Sequence, residues 1–177
     1  MSTPAVFFDR DGTLMEDTGY VSDPALVSLL PGAITALPGL KAAGYRLIII
    51  TNQSGIGRGY FTEADYEAVH TRFLELLGTE LFDATYFCPD HPDVASERRK
   101  PGPGMLLEAA RDFDLDLARS WMVGDRESDL LAGRAAGTRS ILVRTGIGAD
   151  APTAHADFVA KDLAEAAAFI LGKSGAS

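Results

Sequence analysis

One cysteine in 177 residues, Cys88, excludes an internal disulfide framework and suits a reducing compartment, so a cytoplasmic protein is expected. Basic residues are also scarce: 16 Lys and Arg against 25 Asp and Glu leave a formal charge of −9. A general nucleic-acid or anionic-membrane surface needs a basic footprint, so neither is expected as a partner. An anionic small molecule remains compatible with that charge, because a few cations and a metal reverse the field inside one cleft. Long apolar runs are missing too. No stretch approaches the roughly 20 residues that span a bilayer, and Asp9 interrupts the N-terminal apolar run before it resembles a secretion signal. No repeat, low-complexity tract or linker divides the chain, which predicts one domain over 1–177 with a full-sized core. No apolar heptad pattern asks for a second copy, so a monomer is the default expectation.

What is there alternates. Short apolar runs at 5–8, 45–50, 84–88, 121–123 and 141–143, with a shorter candidate at 158–159, read as buried strands. Helical patterns lie between them. One opens at Pro31-Gly32 and closes at Gly44, with Pro38 expected to bend it. Another is capped by Thr62 with Asp65 three residues on, a capping-box pattern. A third carries Met105, Leu106, Ala109 and Phe113; a fourth runs over 128–136; an Ala-rich one closes the chain before a tail from Gly172 that is expected to fray. Strand–helix alternation at this spacing predicts an α/β protein: a three-layer α/β/α sandwich around a central parallel sheet, of Rossmann type.

The stretch Phe7-Phe8-Asp9-Arg10-Asp11-Gly12-Thr13 stands out. Two carboxylates meet at the tip of a buried strand, next to the backbone N–H groups of a turn that Gly12 permits. In extended chain Asp9 and Asp11 point to one side and Arg10 to the other. Buried negative charge is expensive unless a cation shares it, so a nucleophilic carboxylate, a proton-handling one and a divalent ion such as Mg²⁺ are the functional reading. A solvated Asp-x-Asp-Gly turn is the plain one. In parallel sheets, sites form beyond the carboxyl ends of the strands. Asp9/Asp11, Thr51-Asn52, Lys100 and Gly124-Asp125 all lie at or near such ends. Each alone has a dull explanation: turn chemistry for Thr51-Asn52 and Gly124-Asp125, a solvated charge run for Arg98-Arg99-Lys100. Together they compose a phosphoryl-transfer site.

Asp-Arg-Asp-Gly-Thr, Thr-Asn-Gln, Arg-Lys-Pro and Gly-Asp-x-x-x-Asp, in that order, resemble the haloacid dehalogenase (HAD) superfamily of phosphohydrolases. The stretches 9–13, 17–21, 51–59, 99–105 and 142–146 narrow the resemblance to its heptose bisphosphate 7-phosphatase family, beside the histidinol-phosphate phosphatases. The resemblance covers about residues 5–165. It implies Asp9 as the nucleophile that forms an aspartyl-phosphate, and Asp11 as the acid and base. It implies Mg²⁺ held by Asp9, a backbone carbonyl at Arg10 or Asp11, and Asp125, with Asp129 supporting the Asp125 turn. Thr51 and Asn52 would bind the transferring phosphoryl and Lys100 would pin it. Asp17, Tyr20, Gln53, Ser54, Arg99 and Arg126 would face the sugar and its second phosphate, with Arg58 a further candidate. The implied function is hydrolysis of the 7-phosphate of a heptose bisphosphate, in the making of nucleotide-activated heptose for lipopolysaccharide or S-layer precursors. Segments 12–44 and 54–99 are too fully used by core elements to hold a cap domain, so a capless enzyme is expected.

The resemblance fails in one loop. The family carries zinc ligands there in a Cys-x-His…Cys-x-Cys arrangement; here Cys88, Asp90, Ser96 and Arg98 stand at those places. Cys88 and His91 cannot close a tetrahedral site by themselves, so no structural zinc is expected. The alternatives are a histidinol-phosphate or another small sugar-phosphate phosphatase, a nucleic-acid 3′-phosphatase, which the charge of −9 opposes, and a binding domain that kept the fold. The sugar anomer is not legible.

Overall fold

The computed structural model describes residues 1–146 and 148–172; of the tail expected to fray from Gly172, residues 173–177 lie outside that range. Among the described residues six strands form one sheet: β1 (Ala5–Phe8), β2 (Arg46–Asn52), β3 (Ala84–Cys88), β4 (Trp121–Gly124), β5 (Arg139–Val143) and β6 (Phe158–Ala160). Their order is β3-β2-β1-β4-β5-β6, and every pairing is parallel. Helices α1 (Ala33–Ala42), α2 (Ser54–Gly57), α3 (Glu63–Leu77), α4 (Gly104–Phe113), α5 (Glu127–Ala136) and α6 (Leu163–Ile170) join them.

The continuous apolar runs of the strands follow from burial on both faces. Val6, Phe8, Leu47, Ile49, Val123 and Ile141 face one way, onto α1, α3 and α6. Ala5, Phe7, Ile48, Ile50 and Met122 face the other way, onto α4 and α5. The result is the three-layer α/β/α sandwich that the alternation predicts. Pro38 is accommodated inside α1, and Thr62 and Asp65 form the capping box of α3. The second strand is displaced from its expected limits: β2 begins at Arg46 and continues through Asn52, because Thr51 and Asn52 pair with Phe87 and Cys88 of β3.

The topology positions the site. From β1 the chain moves outward through β2 to β3, then crosses back to β4 on the other side of β1. The crevice beyond the ends of β1 and β4 is therefore the switch point of the sheet. Register brings the ends together: Phe8 pairs with Ile49 on one side and Val123 on the other, and the Asp9 amide donates to the Val123 carbonyl at 3.0 Å.

Candidate active site

Asp9 follows β1 directly and is 6% exposed. The Lys100 ammonium reaches it from the loop before α4, donating to Asp9 Oδ1 at 2.7 Å and to the Ile50 carbonyl at 2.8 Å, and pairing with Asp129 Oδ1 at 2.7 Å. Asp129 lies in the first turn of α5, where its Oδ2 accepts the Arg126 amide at 3.0 Å and caps the helix. Asn52 fixes the lysine from below: its Oδ1 accepts the Lys100 amide and its Nδ2 donates to the Lys100 carbonyl, both at 3.1 Å. The phosphoryl-binding part implied for the Asn52 amide is thus overlaid by a structural one, since both its polar atoms are engaged with the backbone of Lys100.

Asp125 follows β4 and is fully buried, yet among the described residues neither of its carboxylate oxygens has a hydrogen-bond donor. Two glycines make the slot. Gly12, at φ 86°, and Gly146 lie so close that a Cβ on either would overlap an Asp125 oxygen. The Thr145 hydroxyl donates to the Gly12 carbonyl at 2.8 Å and ties the two turns together. Desolvation, then the charge of Asp129, pushes the Asp125 carboxyl up to about 6. Desolvation likewise holds Asp9 well above the carboxylate range, against the pull of Lys100 and with help from Asp129 and Asp125. Burial works against the Lys100 ammonium, but Asp129 and Asp9 overcome it and keep it above its ordinary value.

Three carboxylates are therefore buried together beside one ammonium, which reaches two of them, Asp9 and Asp129. Ligand oxygens of Asp9, Asp125 and Asp129 lie within 4.8 Å of one another. Unpartnered oxygens, a net negative charge and an all-oxygen donor set fit a hard divalent cation such as Mg²⁺. Both Asp129 oxygens are engaged, with Lys100 and the α5 cap, so Asp9 and Asp125 are the free ligands. The Asp11 carboxylate stays outside the group, which leaves its backbone carbonyl as the only ligand that Asp11 offers.

A cavity of about 520 Å³ opens above these residues. Four carboxylates (Asp9, Asp11, Asp17, Asp129) and four cations (Arg58, Arg99, Lys100, Arg126) line it, so the local field is balanced despite the overall acidity. Asn52, Gln53, Ser54 and Tyr20 line it as well. Thr51 does not: it is fully buried one layer back, its hydroxyl accepting from Gln53 Nε2 at 2.9 Å. Arg126 pairs with Asp17 at 3.0 Å across the mouth. Arg99 Nη1 and Arg58 Nε are buried without a partner among the described residues. Tyr20 (φ 49°) packs edge-on against Tyr60, ring centroids 4.9 Å apart, joining the two loops that rim the opening.

Asp9 and Asp11 line the cavity and Arg10 lies buried behind them, the sides that strand alternation foresees, although the strand ends at Phe8; the Arg10 side chain then reaches back to Asp11. That contact, the hydrogen bond from Gln53 Nε2 to Asp11 Oδ2 at 2.9 Å, and Ser128 on the cavity wall carry no sequence signal of their own. In the departing loop, Cys88 Sγ donates to Asp90 Oδ2 at 3.3 Å and lies 3.7 Å from Ser96 Oγ. Arg98 makes two hydrogen bonds to Glu108, at 2.9 and 3.1 Å, and donates to the Phe87 carbonyl at 3.1 Å.

A HAD-hydrolase-like family model matches residues 97–166. The chain is 45% identical over 179 residues to D-glycero-beta-D-manno-heptose-1,7-bisphosphate 7-phosphatase of Salmonella typhi, 93% of each chain being covered. It is 43% identical over 152 residues to the D-glycero-alpha-D-manno-heptose-1,7-bisphosphate 7-phosphatase of Burkholderia mallei, covering 81% of this chain and 80% of the other. Among solved structures it resembles a D,D-heptose 1,7-bisphosphate phosphatase from B. bronchiseptica complexed with magnesium and phosphate, with a TM-score of 0.87, 34% identity, and 97% and 99% of the two chains covered.

Proposed function

The chain belongs to the heptose-1,7-bisphosphate 7-phosphatase family of HAD-like hydrolases, and from that premise we propose that it removes the 7-phosphate of D-glycero-D-manno-heptose 1,7-bisphosphate by Mg²⁺-dependent hydrolysis. The observation that carries this reading is a pair of buried carboxylates: Asp9, fixed by Lys100 in the lining of a cavity with four cationic side chains, and Asp125 within 4.8 Å of it, without a donor among the described residues.

Asp9 is the nucleophile. Lys100 holds its Oδ1, which leaves the other oxygen for phosphorus. Asp9 and Asp125, with a backbone carbonyl at Arg10 or Asp11, would hold Mg²⁺. When bound, the ion supplies the positive charge that keeps these buried carboxylates ionised and offsets the approaching phosphoryl oxygens. The Asp9 oxygen forms a bond to phosphorus as the bond from phosphorus to the sugar oxygen breaks. Asp11 gives its proton to that leaving oxygen, then takes one from the water that attacks the aspartyl-phosphate, and the Asp9 carboxylate is restored. Lys100 and Asp129 stay paired throughout and keep the nucleophile in place. Thr51 supports the phosphoryl pocket from beneath through Gln53.

Arg99, Arg126 and Arg58 take the remaining phosphate, with guanidinium forks suited to that anion. Arg126 must first trade Asp17 for the ligand. Tyr20, Ser54 and Gln53 border the sugar. The Cys88–Asp90–Ser96 contacts and the Arg98–Glu108 pair support the loop 89–99, whose residues do not compose a tetrahedral zinc ligand set. With a small-molecule substrate and no cap, one copy of the chain in the cytoplasm suffices for the reaction.

The curated relatives include both anomers, so the test is a comparison of kcat/KM with Mg²⁺ on α- and β-heptose 1,7-bisphosphate and on histidinol phosphate. The reading expects one heptose anomer to exceed histidinol phosphate by at least about 100-fold, the size of a few good polar contacts. Comparable rates on all three would overturn it.

A further inference from the structure

The acid–base carboxylate of this site does not stand by itself, and what holds it is the residue between the two aspartates. Arg10 has no exposed surface at all, although it is charged. Its Nε donates to Asp11 Oδ1 at 3.0 Å and its Nη2 donates to Asp11 Oδ2 at 3.3 Å, so the guanidinium grips both oxygens of the next residue's carboxylate. The guanidinium carbon lies 5.2 Å from the centroid of the Tyr66 ring. That ring is clamped in turn, 4.4 Å from Phe87 and stacked 5.6 Å from His70, which hydrogen-bonds Thr85. Arg10 Nη1 is buried without a partner among the described residues. Asp11 is therefore the only carboxyl group this cation meets among the described residues, and the fork uses one lone pair on each of its oxygens, leaving the other free to carry the proton.

A fully buried guanidinium is costly, and stability alone would favour an apolar side chain in its place. Its geometry serves a different end. Asp11 is partly exposed to the cavity, and an unheld aspartate there would sample several rotamers. Arg10 from behind and Gln53 Nε2 from the side, at 2.9 Å, leave it one orientation.

We propose that Arg10 is a positioning residue for the acid–base step, anchored on the Tyr66 ring and aiming the Asp11 carboxyl at the leaving oxygen of the phosphate ester. The proposal rests on the phosphatase reading above, and on Asp11 as the proton donor. Arg10 makes no contact with substrate. It acts only where a proton must be delivered to a poor leaving group, when the bond from phosphorus to the sugar oxygen breaks and that oxygen takes the proton of Asp11.

The test compares two esters under single-turnover conditions with enzyme in excess: the heptose bisphosphate, whose alkoxide leaving group needs a proton, and 4-nitrophenyl phosphate, whose phenolate does not. Arg10→Met removes the fork and the charge. Arg10→Lys keeps a cation beneath the Tyr66 ring but loses the fork, and it decides the matter if the methionine variant fails to fold. Both variants should slow transfer from the sugar ester about 100-fold, the lower end of what general acid catalysis contributes, with transfer from the aryl ester within about fivefold of wild type and KM within about threefold. Equal slowing of both esters would mean a merely structural role and overturn the proposal, as would no slowing of either. Wild-type protein inactive on the heptose bisphosphate would instead refute the substrate reading, and the comparison would then be run on whichever alkyl phosphate the wild type hydrolyses.

Discussion

Asp125 shows how far this site departs from what stability would select. Its two oxygens are buried and have no donor among the described residues, and its carboxylate lies within 4.8 Å of those of Asp9 and Asp129. Its folded value near 6 lies above the ordinary 3.8, so the penalty is absent below about pH 4 and complete above about pH 6. Asp125→Asn removes that charge. At pH 7.5 the metal-free variant should therefore melt higher than metal-free wild type, while losing both activity and the rise in Tm that Mg²⁺ gives the wild type. Thermal melts of the two proteins with and without Mg²⁺ check this; a lower metal-free Tm in the variant would show that Asp125 has a partner the structure lacks. The same buried surplus of charge explains why Asp9 and Lys100 act as a unit. Removing the lysine would strand Asp9 and Asp129, a loss on the order of 3–5 kcal/mol for a broken buried pair.

Elements differ in how plainly the sequence announces them. The strands were legible because each is a continuous apolar run, and the helix over Glu63–Leu77 because Thr62 and Asp65 mark its start. Thr51 and Asn52 look like turn residues, yet they belong to β2, because β3 supplies partners that local chemistry does not reveal. The strand ends at Asp9 and Asp125 were legible as chemistry, since charge at the tip of an apolar run is conspicuous. Arg10 was not, because alternation sends it away from Asp11 and only the reach of its side chain brings the two together. The loop after β3 is a similar case: Cys88, Asp90, Ser96 and Arg98 read as a lost metal site, but their mutual contacts and the reach of Arg98 to Glu108 emerge only in three dimensions. If those contacts hold the loop, Arg98→Met should cost about 1–2 kcal/mol and raise KM through the neighbouring Arg99. A zinc-selective chelator should leave Tm unchanged. A chelator-induced fall in Tm, or one equivalent of zinc by elemental analysis, would contradict this.

At the scale of the whole molecule, acid stability has a specific weak point. His70 is buried between Tyr66 and Phe73, and burial, then the nearby Arg10 charge, lowers its value to about 4 from an ordinary 6.5. The unfolded chain takes up a proton there that the folded one refuses, so this residue's contribution is intact above pH 6.5 and is lost as pH falls towards 4. His70→Phe, which keeps the stack, should flatten the decline of stability across that window relative to wild type; parallel profiles would show that His70 titrates freely. The parallel sheet thus does two things at once. It provides a two-sided apolar core, and its switch point between β1 and β4 gathers carboxylates, cations and a cavity at one edge.

The most direct test of the central claim is ³¹P NMR of heptose 1,7-bisphosphate incubated with the protein and Mg²⁺. The account predicts that the 7-phosphate resonance is replaced by inorganic phosphate while the 1-phosphate resonance persists, and that Asp9→Asn abolishes the change. Loss of the 1-phosphate first, or unchanged turnover by the Asp9 variant, would contradict it.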